Sequence, residues 1–227
     1  MIKVEHIETW GFEHAIRGMR NPMNSWDKSD SGYDEFIGFY EEHLDAGREF
    51  KIGKNDLDLM RRLCKAGADG NFAHRKFLRQ VFVSMDITAP DYFFKEFSTY
   101  KVGVTENSTS TMHRIHSKEF TLDDFSHEHL IGEEDSIDEP IGTLSFIVDI
   151  LNMWRSTYLR TKDKEDWWQM IQLLPMSYNY TRTVTMNYEN VLNMIKQRTG
   201  HKLDEWNEFV DILWGLPYIK EIAGEDE

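Results

Sequence analysis

The stretch LPMSYNYTRTVTMNYENVLNMIKQRTGHKLDEW, Leu174–Trp206, decides how the rest of the chain is read. Its segment NYTRTVTM, residues 179–186, is rich in Thr, Tyr and Val and predicts a strand. From Asn187 the apolar spacing becomes helical and runs to Thr199, with Gly200 as its stop, and a last helix begins near Asp204. Asn187 and Arg198 are eleven residues apart, close to three turns, so they share a helix face about 16 Å apart, within reach of one extended ligand. Asn193 falls roughly a third of a turn round, so any contact it makes comes from another part of that ligand or from another subunit. Taken alone, one Arg and two Asn on a helix are also ordinary surface residues.

Working outward, QVFVSMDIT (residues 80–88) alternates cleanly as a strand, and Pro90 then opens an aromatic helix, DYFFKEFSTYK. The N-terminal residues 2–10 alternate through Ile2, Val4 and Ile7, before Gly11 hands over to a short helical stretch ending near Arg20. Further helices are expected over 33–46, 55–66, 141–161 and 163–173. The second of these has Asn55 as N-cap, Gly67 as its stop, and Leu57, Met60, Leu63 and Cys64 on one core face. Three strands with helices between them predict an α+β fold, a small, mostly antiparallel sheet packed with helices, in a single domain over 1–227. NPMNSWDKSDSG, Asn21–Gly32, reads as a loop whose Asn, Asp and Ser side chains bond nearby backbone. Trp26 within it either anchors the loop on the core or walls a pocket, and the loop is expected to close over substrate with Trp26 as a lid.

Composition limits the function classes. Across 227 residues, 26 Lys and Arg face 40 Asp and Glu, a net charge of −14, which argues against nucleic acid or an anionic membrane surface as partner. No run of apolar residues is long enough to span a bilayer, and the opening MIKVEHIETW lacks a signal-peptide build, so a cytoplasmic protein is expected. The single cysteine, Cys64, allows no internal disulfide and lies among Leu and Met, a poor setting for a catalytic thiolate. Basic side chains gather between residues 72 and 118 (Arg75, Lys76, Arg79, Lys95, Lys101, Arg114, Lys118), where an anion site would sit. Residues 119–140 carry acids without a single Lys or Arg and read as a solvated excursion. Phosphate-loop, dinucleotide and nucleophile-elbow signatures are absent. His113, His116, His127 and His129 raise a metal-hydrolase reading, without any recognisable ligand framework.

With these residues in view, Leu174–Trp206 resembles the C-terminal signature of flavin-dependent thymidylate synthases. In that family a strand rich in Leu-Pro and Tyr leads to an asparagine-bearing helix, which ends in the arginine that contacts the uracil of dUMP. Asn187, Asn193 and Arg198 match without a gap. HRKFLRQVFVSMDITAP is similar to the family's flavin-contacting histidine, strand and Ala-Pro, which places His74 on the histidine and Ala89-Pro90 on the helix start. The resemblance covers the central and C-terminal parts; the first fifty residues and 119–140 match loosely. After Ala-Pro the family carries RHRxxSxNExSxRY, and this chain instead reads TYKVGVTENSTSTMHR from Thr99. Tyr100 stands for the histidine, and Lys101 replaces an arginine only as a point charge. Asn107, Thr109 and Ser110 keep the motif's polar character, and Arg114 lies two or three residues beyond its final arginine.

The resemblance implies methylation of dUMP to dTMP, or a related pyrimidine-nucleotide modification, with FAD as cofactor and methylenetetrahydrofolate and NADPH as co-substrates. Core placement of the lone cysteine suits a route without a cysteine nucleophile. Arg198 is then the catalytic residue, stabilising negative charge on the pyrimidine. The implied flavin contacts are His74, Tyr100, Lys101, Asn187 and Asn193. Those around the nucleotide are Glu96, Asn107, Thr109, Ser110, Arg114 and Arg198. A homotetramer with sites built between subunits is implied too. The altered motif keeps a second reading open, a non-catalytic nucleotide- or partner-binding descendant of the same fold.

Overall fold

The structure, a computed structural model, describes residues 2–40, 43–67 and 72–225. Its architecture is α+β. Strands β1 (Lys3–Trp10), β2 (Gly32–Tyr40), β3 (His43–Lys51), β4 (Phe82–Pro90), β5 (Thr105–Ser108) and β6 (Asn179–Asn187) form two sheets. The larger is wholly antiparallel, in the order β1-β4-β6-β5, and β2 and β3 pair separately. The helices are α1 (Phe12–Arg20), α2 (Lys54–Ala66), α3 (Asp91–Phe97), α4 (Thr111–Arg114), α5 (Pro140–Thr161), α6 (Lys164–Leu173), α7 (Tyr188–Arg198), α8 (Asp204–Trp214) and α9 (Ile219–Ala223).

Alternation along β4 explains the layering. Val83, Met85, Ile87 and Ala89 are buried on one face, where they meet Val184 and Met186 of β6. Phe93, Phe94 and Phe97 of α3, Val191 and Met194 of α7 and Trp206 and Phe209 of α8 complete this core. The opposite face is hydroxyl-rich: Ser84 bonds Thr185 at 3.0 Å, Thr88 bonds Thr181 at 2.7 Å, and Thr183 donates to Asp86 at 2.6 Å. A second apolar cluster, with Phe120, Phe125, Leu144 and Leu151, joins α5 and α6 to the chain before them. Two of its members, Phe120 and Phe125, pin the acidic excursion, whose Glu133, Glu134 and Asp135 are exposed. Cys64 lies in the main core, where burial pushes its thiol up against the opposing pull of Arg75.

The helix expected over 33–46 is absent. Gly32–Tyr40 and His43–Lys51 pair as antiparallel strands, from Gly32 opposite Lys51 to Tyr40 opposite His43; positions 41 and 42 of that span lie outside the described residues. Apolar residues at 33, 36, 37 and 40 mimic a helical stripe, but they are aromatic or β-branched and are interrupted by Gly38, which favours the extended chain. Asn55 is not an N-cap either. It lies inside α2, and Asp30 from the loop supplies the cap, accepting from the Asn55 amide at 2.9 Å and the Asp56 amide at 3.1 Å. The aromatic helix stops at Phe97 rather than continuing to Lys101.

The loop Asn21–Gly32 is fastened to this frame. Asp56, fully buried, accepts from Arg20 Nε at 2.6 Å, from the Ser29 and Ser31 hydroxyls at 2.6 and 2.7 Å, and from the Asp30 and Ser31 amides. Burial works against its charge, yet these bonds outweigh it and hold the carboxyl below the ordinary aspartate range. No helix among the described residues is long and apolar enough to cross a membrane.

Candidate functional site

The strand-to-helix joint that carries the expected site is built by Asn187. As N-cap of α7 it accepts from the Asn190 amide at 3.1 Å, while the Asn190 side chain accepts from the Asn187 amide at 3.4 Å and donates to the Val102 carbonyl at 2.8 Å. Gly103, with a φ of +78°, follows, and a Cβ there would lie 2.7 Å from Asn187 Nδ2. At the other end of α7, Tyr100 donates to Gln197 Oε1 at 3.0 Å and accepts from Arg198 Nε at 3.0 Å. The altered Thr99-Tyr100-Lys101 run is thus held along α7, with Lys101 exposed. Gly200 takes the left-handed conformation that ends the helix, as expected.

Arg198 is the centre of a built constellation. Its Nη1 reaches Glu96 Oε2 at 2.5 Å, and its guanidinium lies over the rings of Trp206, at 4.7 Å, and Tyr100, at 5.5 Å. His201, absent from the sequence expectations, completes it. The Leu203 amide donates to His201 Nδ1 at 3.1 Å, and His201 Nε2 lies 3.1 Å from the same Glu96 oxygen and 3.2 Å from Arg198 Nη1. Among the described bonds, Arg198 Nη2 and Glu96 Oε1 are left to a ligand. A donor beside an acceptor matches the O=C–N–H edge of an imide or amide.

A second arginine, Arg182, was also missed by sequence reading. It donates to Ser98 Oγ at 2.9 Å and to the Tyr180 hydroxyl at 2.5 Å, pairs with Glu106, and lies 4.2 Å from the Phe94 ring centroid. Burial opposes its charge, but the bonds to Glu106 and Tyr180 keep it protonated. Its buried Nε has no partner. The available signal was parity: Tyr180, Arg182 and Val184 share one face of β6, and Val184 is core. Arg182 lines a cavity of about 500 Å³ together with Thr109 and Ser110, and these two residues also line a hollow of about 350 Å³ that contains Arg114 and Lys118.

The structure therefore brings together Glu96, Tyr100 and Arg198 in one group, and Thr109, Ser110 and Arg114 in another. The two meet through the end of α3, where Glu96 binds Arg198 and Ser98 binds Arg182. Asn107 stands apart. It pairs across from Thr183 on the hydroxyl face, whereas Glu106 and Ser108 share the face of Arg182. His74 is exposed in a 3-10 segment, Phe72–Gln80, and lines a different hollow with Lys76 and Arg79. Asn193 faces a cavity of about 930 Å³ that includes none of the Arg198 partners Glu96, Tyr100 and His201. The four histidines of the metal reading have separate surroundings: His113 lines the cavity of Arg182, His127 bonds the Phe125 carbonyl, His129 lies beside Asp204, and His116 packs on Tyr158. No group of three or more metal-ligating side chains occurs among the described residues.

No protein-family profile and no curated protein sequence matches the chain. Solved structures do. A flavin-dependent thymidylate synthase, thymidylate synthase X from Helicobacter pylori, solved with FAD and dUMP, superposes with a TM-score of 0.64 at 15% identity, covering 100% of this chain and 98% of that one. The UMP/dUMP methylase PolB from Streptomyces cacaoi, bound to 5-Br dUMP, superposes at 0.63 with 13% identity over 99% and 95%. With 5-Br UMP bound, the same enzyme gives 0.60 and 12% over 98% and 93%. At these identities the likeness establishes a shared fold over nearly the whole length.

Proposed function

We propose that the chain, acting as one domain over 1–227, is a flavin-dependent methyltransferase that converts dUMP, or a related pyrimidine nucleotide, using methylenetetrahydrofolate as carbon donor and NADPH as reductant. The observation that carries this reading is Arg198, oriented by Tyr100 and Glu96 on the face of Trp206 with Nη2 open. The structural neighbours support it, since their solved complexes hold pyrimidine nucleotides or their bromo analogues, one together with FAD.

In this reading the pyrimidine edge meets Arg198 and Glu96. Arg198 binds a ring carbonyl oxygen and stabilises negative charge as C5 becomes nucleophilic; Glu96 accepts from the ring N–H. The nucleotide phosphate goes to the Thr109, Ser110 and Arg114 group, with the Arg182 side chain on the wall of the adjoining cavity. For FAD the residues fit at the Asn193 cavity, which is large enough for part of such a cofactor and contains a buried, unpartnered arginine nitrogen. FAD, when bound, supplies the hydride that completes the methyl group. Asn193 would hold it there, whereas Asn187, Tyr100 and Lys101 do not line this cavity and His74 lines another hollow, so their contacts with it would need a second copy of the chain. Because His74 and Asn193 face different hollows of one protomer, a shared site between copies in a homotetramer is part of the proposal.

The test is the visible absorption spectrum after gel filtration with added FAD, followed by dUMP-dependent reoxidation of the reduced protein. Retained flavin at tetramer size and nucleotide-dependent turnover are expected; a colourless protein that ignores FAD refutes the enzyme reading. One observation favours the non-catalytic alternative: both Arg198 and Arg182 already carry carboxylate partners, Glu96 and Glu106. That reading expects a nucleotide-dependent rise in melting temperature without flavin.

A further inference from the structure

Trp26 and Tyr33 are large aromatic side chains left 43% and 47% exposed, yet neither is loose. The Trp26 indole donates to Asn21 Oδ1 at 2.9 Å, and the Tyr33 hydroxyl donates to Glu13 Oε2 at 3.1 Å. The loop that carries Trp26 is itself fixed by the bonds of Arg20, Ser29 and Ser31 to Asp56. Phe50 stands edge-on to Tyr33, 5.1 Å between centroids, and packs on the main core. All three rings line one hollow of about 230 Å³, together with the buried Ile16. Rings held in one orientation around a concave surface are a preorganised contact area, because little rotamer freedom is left to lose when a flat molecule settles on them.

The charges around the hollow narrow the choice of molecule. Arg20 lines it but is committed to Asp56, and Glu13 has its Oε2 engaged by Tyr33. Arg17 is different. It is exposed, lies 5.7 Å from the Trp26 ring centroid, and forms no ion pair among the described residues. A second exposed guanidinium, Arg48, lies 4.5 Å from the centroid of Tyr33 and likewise pairs with no carboxylate among the described residues. In a chain of net charge −14, two unpaired arginines over the rings of one hollow favour an anion at its rim, and they already satisfy the attraction of those rings for a cation. Size adds a limit. About 230 Å³ is below the usual range for drug-sized ligands, roughly 300–1,000 Å³, so a molecule of one ring or two fused rings fills it.

We infer that this hollow binds a small aromatic carboxylate, its ring on Trp26, Tyr33 and Phe50 and its acid group paired with Arg17. The guanidinium offers the two parallel donors that a carboxylate matches, and the acid group points away from Glu13. The hollow shares no lining residue with the cavities that hold Asn193, His74, Arg114 or Arg182, and the inference stands whether or not the chain is a methyltransferase. It also gives the Asn21–Gly32 loop a role, since the Asp56 bonds hold Trp26 in place on the wall of this hollow.

The probes are benzoate and indole-3-carboxylate, titrated calorimetrically into the full chain beside their neutral carboxamides and beside benzyltrimethylammonium. At least one acid should bind saturably, with its carboxamide about fivefold or more weaker. Arg17→Gln should bring the acid down to the affinity of its carboxamide, Arg17→Lys should fall between, and Trp26→Ala should weaken acid and carboxamide alike. Both positions are exposed, and a melting curve checks that each variant is folded. Absence of saturable binding by both acids, equal affinity for acid and carboxamide, tighter binding of the cation, or wild-type affinity in Arg17→Gln or Trp26→Ala overturns the inference. Binding should persist in Arg198→Ala. Its loss there would place the acid at the Arg198 site and overturn the inference too, whereas dUMP-dependent turnover of the same variant tests the pyrimidine reading separately.

Discussion

Arg20 and Arg198 are each the last residue of a helix, and each closes on a carboxylate, Asp56 at 2.6 Å and Glu96 at 2.5 Å. Their surroundings differ. The side chains of Arg20 and Asp56 are 5% and 0% exposed, and both Asp56 oxygens are engaged, one by Arg20 and the other by two hydroxyls and two amides. Those of Arg198 and Glu96 are 17% and 37% exposed, and a single Glu96 oxygen faces both the arginine and His201. A saturated buried pair is a fastener, because no ligand can enter without unfolding it. A half-open pair with one free donor and one free acceptor can hold its shape and still bind.

The comparison breaks first at Asp56. Asp56→Ala leaves Arg20 buried without a partner, frees Ser29 and Ser31, and should cost about 3–5 kcal/mol in urea unfolding. A loss below about 1 kcal/mol would make this pair no more structural than a surface one. Arg198→Ala should behave in the opposite way. Stability should change by about 1 kcal/mol or less, while pyrimidine-dependent turnover falls about 100- to 1000-fold, the scale for losing one preorganised charge-stabilising donor. Retained turnover would remove Arg198 from the catalytic role.

Acid sharpens the contrast more gently. Asp56 has its carboxyl held below the ordinary range, so the unfolded chain binds this proton more readily than the folded one. Its contribution is fully present above the unfolded value, about pH 4, and is lost as pH falls through the folded value. Wild-type unfolding free energy should therefore drop on acidification, and Asp56→Asn should flatten part of that drop. An identical acid profile in the variant would mean that other carboxylates carry the dependence.

These two pairs also mark what the sequence reveals. β4, β6 and α7 are legible because alternation, a helical period and a glycine stop follow one another without interruption, and Arg198 inherits its place from them. The β2–β3 pair is not, since an apolar spacing fitting both a helix and a strand is resolved only by pairing with residues further along the chain. β5 escapes for another reason: Thr105–Ser108 is four polar residues, made a strand by the edge of β6 rather than by its own propensity. Arg182 and His201 share that dependence on tertiary placement, for their roles come from what is absent or present beside them. Asp56 looks like an ordinary first-turn acid in sequence, and only the loop that folds onto it makes it a hub.

The smallest effect tests the loop itself. Trp26 donates from Nε1 to Asn21 at 2.9 Å, with Arg17 5.7 Å from its ring centroid, and lines a hollow of about 230 Å³ with Arg20, Tyr33 and Phe50. That hollow includes none of the residues around Arg198, and the Asp56 bonds hold the loop from both sides of Asp30. Trp26 is 43% exposed and outside the core, so of the two roles expected for it the structure favours walling a pocket, and that pocket lies away from the Arg198 site. Trp26→Ala should cost about 0.5–1 kcal/mol, the range of an exposed cation–π contact, and leave KM and kcat for the nucleotide unchanged. A rise in KM with stability intact would instead mean that the loop reaches the substrate from a neighbouring copy, and that the fastener at Asp56 exists to present Trp26 to a site one protomer does not complete alone.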